Sequence, residues 1–103
     1  GIPLWRMAQR LSRQLRLEHA AQIEKGLGVW VYVYKGNRVF HWDTPPEVDA
    51  VIPAPEIWAE GLQRSPEGFT GTAMVMGEPY VYGIYPMRSL GPDVGTIIFR
   101  TES

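Results

Sequence analysis

Residues 68–100 constrain the fold more than any other stretch: GFTGTAMVMGEPYVYGIYPMRSLGPDVGTIIFR. Three apolar, β-rich runs are separated by two sets of turn residues. Gly77-Glu78-Pro79 follows the first run and Leu90-Gly91-Pro92-Asp93 precedes the last. Composition and spacing predict an antiparallel meander with strands at about 69–76, 79–86 and 94–100.

A sheet of this kind needs further strands and a cover, and the rest of the chain offers both. Residues 28–34, GVWVYVY, alternate with period two. Val29, Val31 and Val33 fall on one face; Trp30, Tyr32 and Tyr34 fall on the other. Lys35-Gly36-Asn37 then predicts a turn, and Arg38–Trp42 a returning strand. One face of this hairpin is aliphatic and the other aromatic, so both are expected to be covered. Residues 3–25 carry the one long helical pattern: Leu4, Met7, Ala8, Leu11 and Leu15 recur at three- and four-residue steps, with Pro3 suited to a first turn. Gly26 is the expected helix cap. Residues 43–55 hold four prolines and read as loop, and Pro55–Leu62 reads as a short helix. The order is helix, two strands, a loop with a short helix, then three strands. The expectation is one α+β domain over 1–103, with a helix at 1–25 and a sheet domain at 26–103.

The small branched valines suit close packing under the long helix. The larger aromatic residues, with polar ends, suit a face covered by the irregular 43–65 segment. Any cavity is therefore expected on the aromatic face, where the Tyr32 hydroxyl is expected to matter more for binding than for folding.

Composition excludes several classes of function. The chain has no cysteine, which removes thiol nucleophiles, disulfides and thiolate metal sites. No P-loop, HExxH or GxSxG motif occurs, and no nucleophile–base pair is evident, so the domain reads as non-enzymatic and without a cofactor. Arg6, Arg10, Arg13 and Arg16 occupy the first 17 residues with no acid, while the remainder is net acidic. The sheet region thus lacks the basic face that nucleic-acid binding needs. The N-terminal arginines are most simply a solvated helix face. No apolar run reaches the 18 or more residues of a membrane span.

Few residues are left to carry recognition. His41, on the same strand face as Val39, can both donate and accept at neutral pH. His19, beside Glu18, reads as a surface residue, and two histidines so far apart make a poor zinc site. Trp30, Tyr32 and Tyr34, with Tyr80, Tyr82 and Tyr85, concentrate aromatic rings in a small sheet; they form either a packed core with hydroxyls at its edge or a small-molecule cavity. Tyr80 and Tyr82 share a strand face that Tyr85 does not. Arg88, just past the strand end, is a solvated turn residue or a carboxylate anchor.

The Gly-x-Pro-Tyr turn at 77–80, the Tyr85-Pro86-Met87 exit and the strand opening Val94-Gly95-Thr96 resemble the closing strands of Cache/PAS-like extracytoplasmic sensor domains, of single-Cache type. The match covers about a third of the chain, and the rest agrees by element order. GAF-like and profilin-like domains use similar orders. The resemblance implies a PAS-like five-stranded antiparallel sheet with a long N-terminal helix and a helix/loop insertion between strands 2 and 3. It implies a ligand-sensing module, periplasmic or otherwise extracytoplasmic, of an inner-membrane bacterial receptor: a histidine kinase, chemoreceptor or cyclic-dinucleotide enzyme. Transmembrane helices would flank it outside these 103 residues. A small anionic ligand would be held by residues among Trp30, Tyr32, His41, Tyr80, Tyr82 and Arg88. The N-terminal helix, through Leu4, Leu11 and Leu15, would form a homodimer. The alternative is a cytoplasmic PAS/GAF-like interaction or dimerisation domain without a small-molecule ligand.

Overall fold

The computed structural model describes residues 3–6, 28–41 and 43–102. Five strands form one antiparallel sheet: β1 (Val29–Lys35), β2 (Arg38–His41), β3 (Phe69–Val75), β4 (Glu78–Pro86) and β5 (Val94–Thr101). Their order across the sheet is β2-β1-β5-β4-β3. The last strand in sequence therefore lies at the centre, between β1 and β4. After β2 the chain crosses from one edge of the sheet to the other before β3 begins. The two helices of that crossing are α1 (Pro46–Asp49) and α2 (Pro55–Arg64).

All five strands expected from the sequence are present, with ends shifted by a residue or two. The turn between β3 and β4 lies earlier than Gly77-Glu78-Pro79. Met76 and Gly77, at φ 50° and 78°, make the tight connection, and Pro79 is already paired with Met74 inside β4. Two positive φ values in succession match the twist of a two-residue hairpin. Proline is tolerated there because the β4–β5 ladder starts one residue later, at Tyr80↔Thr101.

The segment read as loop over 43–55 contains α1. Pro46 occupies its first turn and Val48 is buried, so proline here starts a helix rather than interrupting one. The second helix runs two residues beyond its expected end, to Arg64. A single 3-10 turn over Arg88–Leu90 separates β4 from β5.

The alternation read from β1 sorts the core into two clusters, one on each face. Val29, Val31 and Val33 pack with Ile98, Tyr85, Met87 and Leu4. Leu4 belongs to a helical stretch, residues 4–6, in which Arg6 N–H donates to Pro3 O at 3.1 Å. Leu4 thus lies on the valine face, the face whose small branched residues were expected to pack under the N-terminal helix. The remainder of the helix expected over 3–25, with its Gly26 cap, His19 and the Leu11–Leu15 stripe, lies outside the described residues.

On the opposite face Tyr32, Tyr34, Ile84, Ile97 and Phe99 pack with Val48, Trp58 and Val75. The insertion covers the aromatic face, and the reason is steric. Large rings leave an uneven surface that a short helix bearing one tryptophan can fill. Gly61 of α2 lies so close to the Phe69 ring that a Cβ there would come within 2.3 Å of it. That glycine lets the helix seat against β3.

Candidate functional site

Two sets of contacts fix the insertion to aromatic residues of β1. The first centres on Tyr32, which is fully buried. Its hydroxyl donates to Asp49 Oδ1 at 2.7 Å. Thr44 Oγ1 donates to the same oxygen at 2.6 Å and lies 2.9 Å from His41 Nδ1. Thr44 has a single hydroxyl proton, and Asp49 receives it. Nδ1 of His41 must then carry the proton that bridges to Thr44. A chain of hydrogen bonds thus runs from β2 through the start of the insertion to the end of α1 and back to β1. Burial, together with the bond to Asp49, raises the Tyr32 pKa well above its ordinary value.

The second set centres on Tyr34. Its ring packs against Trp58 of α2, with centroids 5.2 Å apart. Gly95 of β5 pairs with Tyr34 across the ladder, and the Tyr34 ring lies directly over it: a Cβ on Gly95 would come 2.2 Å from the ring. Trp58 is held in turn by its indole N–H, which donates to Pro53 O at 2.6 Å. Burial raises the Tyr34 pKa, and the charge on Arg88 partly offsets that rise.

Tyr34, Trp58 and Arg88 line a cleft of about 320 Å³, with Pro55, Leu62, Pro66, Pro86, Pro92 and Asp93 among its other walls. It opens where α2 meets the turn between β4 and β5. Arg88 is exposed at its rim. Its Nη2 donates to Pro66 O at 2.6 Å, and its Nη1 lies 4.0 Å from Glu67. The backbone carbonyl fixes one side of the guanidinium fork, and further N–H donors remain to be used.

The six residues singled out from the sequence are distributed over three places. Tyr32 and His41 come together as a cross-strand pair, with rings 5.8 Å apart. Trp30 and Tyr82 flank Phe99 in one row across the sheet, and Tyr82 packs on Phe99 at 5.4 Å. Tyr80 follows on the same face, paired with Thr101. Arg88 stands apart from these five, in the cleft. Sequence reasoning did not single out Asp49, Thr44 or Trp58 as partners. Trp58 left a signal, a tryptophan in a short proline-initiated helix. The Asp49 bonds depend on a helical turn that the proline-rich segment concealed.

Among the described residues, no three His, Asp or Glu side chains gather to hold a metal ion. No helix among them is long and apolar enough to cross a membrane. The chain matches no protein-family model, no curated protein and no solved structure.

Proposed function

We propose that this chain is a ligand-sensing module, PAS-like and of single-Cache type, in the extracytoplasmic part of a membrane-bound bacterial signalling receptor. The observation that carries the reading is Arg88: an exposed guanidinium at the mouth of a cleft walled by Tyr34, Trp58 and prolines. Largely apolar walls with one well-placed cation, whose nearby acids are Asp93 in the wall and Glu67 at 4.0 Å, suit a small anionic ligand that also has an apolar part. The element order, two strands, helices, then three strands, is the order PAS-like folds share, and supports the same reading.

In this scheme the ligand bridges α2 and the 88–93 turn. It biases the packing of the insertion against the sheet, and so the balance between two arrangements of the domain. The output leaves through the N-terminal segment, whose Leu4 packs on the valine face, and through its helix-mediated dimer.

A second reading, a PAS/GAF-like interaction domain without a small-molecule ligand, is favoured by one observation. The rings of Tyr32 and Phe99 are fully buried, so the centre of the aromatic face is packed core.

A thermal-shift screen with small carboxylates, amines and sugars separates the two. A ligand at a hundred times its dissociation constant adds about 2.7 kcal/mol of stability. The sensor reading expects a carboxylate to raise the melting temperature and Arg88→Ala to weaken its binding by about 1.5–3 kcal/mol. Binding unaltered by Arg88→Ala would remove the cleft from the site. A screen with no stabilising compound would favour the interaction domain.

A further inference from the structure

The two edges of the sheet are built differently. An edge strand offers backbone N–H and C=O groups to any strand that lies beside it. Natural edges are blunted by shortness, charge, proline or a bulge. β2 uses the first two, being four residues long and carrying the charge of Arg38. β3 uses none. It runs seven residues, FTGTAMV, without charge or proline. Its pairing with β4 is continuous from Phe69↔Ile84 to Val75↔Glu78, without a bulge. Among the described residues, no strand pairs with its outer side. Thr70, Thr72 and Met74 share one face, and all three are exposed. Met76, at the hairpin tip, is 83% exposed.

We infer that β3 is a self-association surface: it pairs antiparallel with β3 of a second copy of this chain about a two-fold axis. Residues directly opposite in such a pair point to the same face, so period-two alternation requires one residue to oppose its own copy. Centring on Thr72 is the register that pairs the whole strand. It sets Thr70 against Met74, Gly71 against Ala73 and Phe69 against Val75. No like charges meet. The thioether of Met74 is covered by the methyl groups of Thr70 and Thr72 from the second copy, and Phe69 extends the apolar surface on the helix-covered face. Strand pairing over seven residues is smaller than a standard interface, so the dimer is weak and concentration-dependent. Among the described residues, Leu4 packs with residues of β1, β4 and β5 and with none of β3.

The absence of cysteine makes the test direct. Opposed Cα atoms in an antiparallel pair lie about 4.5–5.5 Å apart, within the range of about 4.4–6.8 Å that a disulfide spans. Single variants Thr70→Cys, Thr72→Cys and Met74→Cys on the exposed face, with Arg38→Cys on β2 as control, are oxidised under mild conditions. Thr72→Cys is expected to form the linked dimer several-fold faster than the other three. In sedimentation, the average mass of the unmodified chain should rise with concentration above 11.7 kDa, and Thr72→Lys, by setting like charges face to face, should make that rise clearly smaller, leaving only association through the N-terminal segment. Equal cross-linking at all four positions, or fastest cross-linking through Arg38→Cys, overturns the proposal. So does an unmodified chain that stays at 11.7 kDa up to millimolar concentration, which would leave the edge to a strand from another protein.

Discussion

The hydroxyl of Tyr32 donates to Asp49 Oδ1 at 2.7 Å across the sheet–insertion boundary. It ties the middle of β1 to the end of α1, and Thr44 completes the link by donating to the same carboxylate oxygen. The Tyr32 hydroxyl thereby has a part in holding the insertion to the sheet, beside the part in binding expected of it from the sequence.

Tyr32→Phe should therefore lower stability by about 1.5–3 kcal/mol, the range for a hydrogen bond to a charged partner. Urea unfolding measures this. In an Asp49→Ala background the same change should cost clearly less, since the two residues share one interaction. Equal cost in both backgrounds would separate the hydroxyl from Asp49.

Gly95→Ala should disturb the cleft from behind. A methyl group there meets the Tyr34 ring at 2.2 Å, and Trp58 packs against the same ring. A shift of the ring must press on α2 or intrude into the cleft that Tyr34 lines. Overpacking of this kind costs about 1–3 kcal/mol, read as a lowered urea midpoint. Any carboxylate found to bind should also bind less tightly. Wild-type stability in Gly95→Ala would mean that the ring can swing aside.

Val31→Ala tests the opposite face. Val31 is buried among Val29, Val33, Ile98 and Leu4, and its truncation should cost about 1–3 kcal/mol by leaving a cavity. Ligand affinity, measured by calorimetry, should be unchanged. A change in affinity as large as the change in stability would show that the two faces are coupled.

Alkaline pH should destabilise the fold. Burial raises the pKa values of Tyr32, Tyr34 and Tyr85 above the ordinary 10.0. Below pH 10 each tyrosine is protonated in both the folded and unfolded states, and the shift changes nothing. Above it the unfolded chain loses protons that the folded chain keeps, so stability falls as pH rises. Each tyrosine contributes a slope of up to about 1.4 kcal/mol per pH unit until its folded-state pKa is reached. Urea midpoints from pH 8 to 11 should stay level and then drop, and Tyr32→Phe should flatten the drop. A level profile through pH 11 would contradict the burial of these hydroxyls.

Much of the sheet was legible because its signals are local. Period-two alternation in VWVYVY assigned each β1 side chain to a face. Glycine and proline clusters marked the breaks between strands. The candidate site was less legible because its parts come from distant segments: Tyr34 from β1, Trp58 from α2, Arg88 from the turn after β4. Arg88 was visible as a cation at a strand exit. That Pro66 O would hold it, 22 residues away in sequence, has no local signature. Asp49 was hidden for a different reason. Proline can begin a helix or break one, and composition alone favoured the loop.

By itself the sequence determined that the chain builds an antiparallel sheet with a valine face and an aromatic face. Strand period and turn chemistry act within a few residues, and nothing distant can reverse them without burying polar groups. Only the tertiary structure decided that the last strand lies at the centre, with β3 and β2 at the edges. It likewise decided that the Tyr32 hydroxyl meets a carboxylate and that Arg88 stands apart from the other candidate residues. Those outcomes depend on which segments pack together. That choice rests on the summed burial and steric fit of both sheet faces, which no short stretch of the chain encodes.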